Sequence, residues 1–467
     1  MQLKHIAFLT LSAVSTFAMA EGFDVVVVGS GGAGLSSAIT AKESGATVVV
    51  LEKMAYIGGN SNFASGGMNA AGTKQQLAAG VTQDSPELFY KDTMKGGHNL
   101  NNPALLKTLT ENAKYAEEWL VDLGAKFCFR KGRGGGQSIA RGHGPCDGSA
   151  VGPEILRVLT ERAAKDGIAI RTENQVVKIV MKNGAVAGVE VKTEDGVKTI
   201  DARAVVLATG GFGANQAMVT KYRPELKGFS TTNHPGALGE GIKLGEDVGA
   251  SLTDIEQIQI HPTVIKRDGH PISESMRARG AIMVNQKGER FCNELLTRDV
   301  VSQHVLKQPG GYAYLIYDQS IFDSNKLSRG YYKDGYSVKA ENLDELAQKI
   351  KVPAKTLKAT FAAYKKAYDT QKDTAFGRPE MVIALDKAPY YAAQITPGIH
   401  HTMGGLTINT KAEVQSKAGK SIPGLFAAGE VTGGVHGGNR IGGNAVADIV
   451  TFGRIAGKDA AAYAKAH

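Results

Sequence analysis

Thirty residues near the start constrain this chain more than any others. Residues 23–52 read FDVVVVGSGGAGLSSAITAKESGATVVVLE. FDVVVVG is a continuous apolar, β-branched run, the pattern of a parallel strand buried on both faces. GSGGAG then places glycine at 29, 31 and 34, and LSSAITAKESGA has helical spacing ahead of a second buried strand. This strand–turn–helix–strand order is the dinucleotide-binding fingerprint in its required context. Gly29 makes the tight turn, Gly31 admits a pyrophosphate to the backbone at a helix start, and Gly34 lets helix and strand pack closely. Glu52 ends the second strand, where a carboxylate holds a ribose hydroxyl. The expected class is α/β.

At 467 residues the chain is long enough for two domains with their own cores. Residues 1–20, MQLKHIAFLTLSAVSTFAMA, carry Lys4 and His5 ahead of a short apolar run and end in Ala18-Met19-Ala20, a small-x-small cleavage pattern. They read as a secretory signal peptide, too short for a transmembrane span, which implies export and a mature start near Glu21. Outside the cytoplasm soluble NADH is not expected, so a tightly held flavin is the better redox dinucleotide. The net charge of +9 is diffuse, with acids between the lysines and arginines. That argues against nucleic acid and toward small anionic substrates or an acidic protein partner. Three cysteines allow one bridge, with Cys128 and Cys146 as a candidate pair and Cys292 left over. No C-x-x-C-H occurs, so no covalently attached haem is expected, and no metal site is read.

Glycine makes up 58 residues, against a usual level of about 7%. The glycines cluster in turns after apolar runs: IGGNSNFASGGMNAAG (57–72), VVLATGGFGAN (205–215) and GLFAAGEVTGG (424–434). In GGVHGGNRIGGN (433–444), glycines surround His436 and Arg440 just before a helical pattern, NAVADIVTFGRIAGKDAAAYA. Glycine permits close backbone approach, and arginine offers a donor fork that matches a carboxylate. Residues 174–211 alternate as strands, with hairpin signals at Asn183-Gly184 and Asp195-Gly196. VPAKTLKATFAAYKKAYD has helical spacing within a unit expected over 256–401.

GSGGAGLSSA, LEK, GGNSNFASGGMN, LATGGFGAN, HTMGG and AAGEVTGGVHGGNRIGGNAVADI together resemble the fumarate reductase/succinate dehydrogenase flavoprotein family, most nearly its periplasmic soluble flavocytochrome c branch. The resemblance implies a Rossmann-like FAD-binding domain (21–255 and 402–467) interrupted by an α+β capping, or clamp, domain (256–401). It implies FAD held by Gly29, Gly31, Gly34, Glu52, Lys53, Asn60, Ser61, Gly66, Gly67, Val177, Gly211, Glu430, Asn444, Ala445 and Val446. Membrane-bound relatives attach flavin through a histidine where this chain has Asn60, so FAD is expected to be non-covalent. His261, Ser273, Glu274, Arg277, Arg298, His400 and Arg440 match the family's catalytic positions. By resemblance, Arg298 is the proton donor, resupplied through Glu274 and Arg277. His400 with Arg440, and His261 with Ser273, would each hold a substrate carboxylate.

Two departures bear on the substrate. Relatives that reduce fumarate usually carry methionine where this chain has Pro271, and threonine where it has Ser273. Fumarate is the favoured substrate, with a methacrylate- or acrylate-type enoate as the alternative. With no haem on the chain, a separate multihaem cytochrome c is the expected electron donor. Rival readings are an oxidase or steroid dehydrogenase of the same superfamily, and a non-enzymatic periplasmic flavoprotein.

Overall fold

The computed structural model describes residues 21–324 and 326–467. The signal peptide expected over residues 1–20 lies outside the described residues. β1 (Gly22–Val28), α1 (Gly32–Glu43) and β2 (Val48–Leu51) form the fingerprint, and α1 starts inside the glycine turn. Gly34 has no room for a side chain: a Cβ there would stand 1.9 Å from the Gly29 carbonyl oxygen.

β3 (Ala169–Arg171), β4 (Gln175–Lys182), β5 (Ala185–Thr193) and β6 (Gly196–Leu207) follow. β6 plays two parts. Its first half pairs antiparallel with β5, and its second half runs parallel to β1. The first hairpin turns at Asn183-Gly184, as its sequence signals. The second turns at Glu194-Asp195, one residue earlier than expected, because Gly196 already pairs with Thr193.

The middle of the chain contributes β7 (Ile258–Val264), α2 (Ser275–Arg279), β8 (Ile282–Val284), α3 (Arg298–Leu306), β9 (Ala313–Asp318), α4 (Ala354–Thr370) and β10 (Tyr390–Thr402). β7, β10, β9 and β8 make an antiparallel sheet in that order. The last segment returns to the first sheet through β11 (Glu413–Gln415) and β12 (Ser421–Ala427), then ends in α5 (Asn444–Ala466). The main path of the large sheet therefore runs β11-β12-β6-β1-β2-β3, parallel except for its β11 edge, with the β4–β5 hairpin joined antiparallel to β6. α5 packs along α1 and buries Val450, Phe452 and Ala456.

Two separate hydrophobic cores result. One joins residues between Val25 and Ile260 with residues from Ile399 to Ala464. The other lies entirely between Ile265 and Ile395. The catalytic candidates gather where the two bodies meet.

A disulfide joins Cys128 to Cys146 across the short strands Phe127–Arg130 and Gly142–Pro145. Cys292 is free and buried. Closing a loop of this length, 18 residues in separation, removes unfolded-state entropy worth about 3 kcal/mol. Cys128→Ser is therefore expected to lower stability by about that amount in denaturant unfolding, and Cys128→Ser/Cys146→Ser to cost no more than the single change.

Candidate active site

Five segments carry the site, and each has a local reason to reach it. β7 is buried along its whole length and supplies Gln259 and His261. β10 pairs with it antiparallel, but the register slips: Gln259 faces His401, while Ile260 faces Ile399. His400 is the extra residue of that bulge. In a regular strand His400 and His401 would point to opposite faces; the bulge re-aims one of them, and both line one cavity. Ser273 and Glu274 come just before α2, and Arg277 follows one turn later. Arg298 is the first residue of α3. Arg440 sits in the glycine-rich loop ahead of α5.

Glu274 is the junction. Its Oε2 accepts from Arg298 Nε at 2.6 Å and lies 3.6 Å from Arg277 Nη2. Its Oε1 accepts from the backbone N–H of Gly135 at 2.6 Å. Arg298 Nη1 donates to Gln259 Oε1 at 3.2 Å. Gln259 Nε2 in turn donates to Asn439 Oδ1 and to the Arg440 carbonyl, each at 2.7 Å. Gln259 therefore ties the proposed proton donor to the loop that carries Arg440. A Cβ at Gly442 would stand 2.6 Å from Glu274 Oε2, and one at Gly135 would stand 2.5 Å from the Leu296 carbonyl oxygen. Only glycine lets these two loops close on Glu274 from both sides.

Burial would raise the Glu274 pKa, but Arg298 and Arg277 outweigh it and hold the carboxyl at about 2. Burial, reinforced by the neighbouring arginines, pushes His261, His400 and His401 well below the usual imidazole range. They are neutral donors and acceptors at ordinary pH. His261 Nδ1 receives the Thr263 N–H at 3.3 Å, which assigns the ring proton to Nε2. The Thr232 hydroxyl fixes the His400 ring through Nδ1 at 2.7 Å. Arg440 is buried, and its Nε has no hydrogen-bond partner among the described residues.

His261, Ser273, Glu274, Arg298, His400 and Arg440 all line one cavity. Arg277 stands behind Glu274, fully buried and outside that lining. A second cavity borders Gly29, Gly31, Glu52 and Lys53. Asn60, Ser61, Glu430 and Ile449 face both spaces, so the two form one elongated groove. The residues fit FAD. α1 begins without a cap from its N-cap side chain and without an acid in its first turn; the Gly32 N–H donates to Ser61 Oγ at 3.0 Å, which leaves the other first-turn amides for a pyrophosphate. Gly31 opens on space that a side chain would narrow, with only Ser61 Oγ and the Gly58 carbonyl near an added Cβ. Glu52 stands beside that turn, accepting from Ser30 N and Oγ and from Met54 N.

Several expected cofactor residues fall elsewhere. Val177 is 40% exposed; strand alternation turns it outward, and Val176 lines the groove instead. Gly211 packs against Thr402 and Glu430 rather than facing the groove. Asn444 is buried between Asn69 and Thr93, while Ala445 and Val446 line the cavity. Gly66 and Gly67 line it. Lys53 pairs with Glu240 at the groove edge. Sequence reasoning missed Gln259, His401, Thr232 and Gly135. The GRGGGQ run (132–137) was the available signal for Gly135.

The profile of the FAD binding domain family matches residues 24–446. The chain is 47% identical over 444 residues to a fumarate reductase (cytochrome) of Shewanella frigidimarina, covering 95% of this chain and 77% of the relative. It is 49% identical over 447 residues to an NADH:fumarate oxidoreductase of Klebsiella pneumoniae (strain 342), covering 95% of this chain but only 48% of that relative, so it spans about half of that protein's length. Among solved structures, the open conformation of a flavocytochrome c3 fumarate reductase superposes with a TM-score of 0.78 at 44% identity, over 96% of this chain and 79% of that one.

Gly135→Val should push the 132–137 loop away from Leu296 and Glu274; turnover is expected to fall at least about tenfold, with flavin still bound by absorbance. The three histidines make stability pH-dependent. Their unfolded pKa is about 6.5 and their folded values lie well below it. Below pH 6.5 the unfolded chain therefore binds protons that the folded chain refuses, and stability falls as pH falls. Thermal unfolding from pH 7.5 to 5 should show this decline, with a shallower slope in His401→Gln.

Proposed function

The chain belongs to the FAD binding domain family, and from that membership we propose that it reduces the C=C bond of an α,β-unsaturated carboxylate, fumarate to succinate, in the periplasm with non-covalent FAD. The observation that carries this reading is the convergence of Arg298, Arg440, His261 and His400 on one cavity that also includes Asn60, Glu430 and Ala445 from the cofactor groove.

When bound, reduced FAD supplies a hydride to one alkene carbon. The chain's own residues do the rest. Arg440 and His400 grip the carboxylate on which negative charge builds as the alkene accepts hydride. His261 and Ser273 hold the second carboxylate and turn it out of conjugation, which makes the alkene more electrophilic. Both imidazoles act neutral, so they donate hydrogen bonds without adding charge. Arg298 gives a proton to the neighbouring carbon. Its Nε and Nη1 are engaged by Glu274 and Gln259, which leaves Nη2 for the substrate. A guanidinium is a weak acid, so resupply has to be immediate: Glu274, ionised and 2.6 Å from Nε, returns a proton drawn from Arg277. One hydride and one proton complete the saturated acid, and one proton taken up from solvent restores the relay.

Electrons come from outside the chain, from a separate multihaem cytochrome c; the sequence has no C-x-x-C-H of its own. A second reading, a methacrylate- or acrylate-type acid, is favoured by Pro271, which forms part of the cavity wall.

The test is anaerobic. Dye-reduced enzyme is mixed in turn with fumarate, methacrylate, acrylate and urocanate, and flavin reoxidation is followed. Fumarate is expected to reoxidise it fastest; failure of all four, or rapid oxidation of NADH by the purified protein, overturns the proposal. Arg298→Ala should lower turnover by about 10²–10⁴-fold while the flavin spectrum persists.

A further inference from the structure

The substrate cavity does not end at the catalytic set. Its outer end is lined by Arg130 and Lys131, on the flavin-domain side, and by Arg279, the last residue of α2 on the clamp side. These segments touch: a Cβ at Gly132 would stand 3.0 Å from the Ala278 carbonyl oxygen. The Arg279 guanidinium is half-buried and has no hydrogen-bond or ion-pair partner among the described residues. Arg130 is satisfied only by neutral carbonyls, of Gly66 and of Ser149, the latter at 2.6 Å. The nearby carboxylate, Asp147, is committed to Lys326 at 2.6 Å and to the Ser149 N–H.

Among the described residues, Arg130, Lys131, Arg279, Arg298 and Arg440 face Glu274 and Glu430 as the only acids in the lining. Glu274 is taken by Arg298 and Gly135, and Glu430 by Thr402 and Asn60. Neither reaches the outer cations. Burial, and then Arg279 itself, lower the Arg130 pKa to about 10. Two guanidiniums placed together without a counter-charge repel each other, and an anion between them removes that cost.

We propose that Arg130, Arg279 and Lys131 form a second anion site, outside the inner grip of His261, His400 and Arg440, that takes a carboxylate. The inference rests on the enoate-reductase reading and adds a substrate class to it. The carboxylate has two sources: the remote end of an unsaturated acid longer than fumarate, held by the inner grip at its other end, or a separate dicarboxylate poised at the cavity mouth. In either case the anion spans Arg130 of one body and Arg279 of the other, so its binding draws the clamp toward the flavin domain.

Two saturated acids that cannot turn over separate the sources. Succinate and tricarballylate are titrated calorimetrically into the FAD-loaded protein, wild type and Arg279→Gln. A separate dicarboxylate site predicts two succinates per chain in the wild type and one in the variant. A remote-end site predicts one tricarballylate per chain, bound more tightly than succinate, with about tenfold of that affinity lost in Arg279→Gln and most of it kept in Arg279→Lys. Either pattern supports the site. Wild-type affinity and stoichiometry for both acids in Arg279→Gln overturn it, even if fumarate still reoxidises the flavin. The converse result, Arg279-dependent binding with no enoate reoxidising the flavin, leaves the anion site standing and removes the catalytic reading alone.

Discussion

The buried carboxylate of Glu274 organises this molecule's centre. Ionised carboxylates are costly to bury unless paired and fully hydrogen-bonded. Glu274 is paired twice by nearby residues of the chain, Arg298 and Arg277, and once from a distant segment, by the Gly135 amide. That third bond links the two cored bodies through a buried charge. It also explains why two loops of the other body are glycine at the contact, since a Cβ at Gly135 or Gly442 would occupy the space the carboxylate needs.

Around this junction the molecule keeps its positive groups close together and its imidazoles uncharged. Arg298 and Arg440 share a cavity, and burial together with these cations keeps His261, His400 and His401 neutral. The cavity is therefore an anion trap whose hydrogen-bond donors are set in advance by Thr263, Thr232 and Gln259. Preorganised donors of this kind act on charge as it develops, without reorganising at the moment of reaction. The outer arginines extend the same sign of potential to the cavity mouth, where it concentrates anions.

Much of the fold is legible in local patterns. The glycine spacing at 29, 31 and 34 sits between two β-branched runs, and periodicity shows α4 and α5 clearly. What escapes is whatever depends on one residue of register. The hairpin after β5 turns at Glu194-Asp195 rather than Asp195-Gly196, and Val176 rather than Val177 faces the groove. A strand alternates with period two, so a shift of one residue reverses every side chain. The same sensitivity hid His401, which reaches the cavity only because a bulge breaks the alternation at His400.

The sequence by itself determined the dinucleotide fold and the class of cofactor, because these follow from spacing within short segments and from turns too crowded for any residue but glycine; the arginines and histidines of the site entered by resemblance. Only the tertiary structure decided which of these residues share a space. Gln259, Gly135 and Arg279 look ordinary in the chain, and their roles arise from neighbours far away in sequence: 39 positions from Gln259 to Arg298 and 139 from Gly135 to Glu274. Contacts at that separation are set by how two cores pack against each other, which no local period encodes.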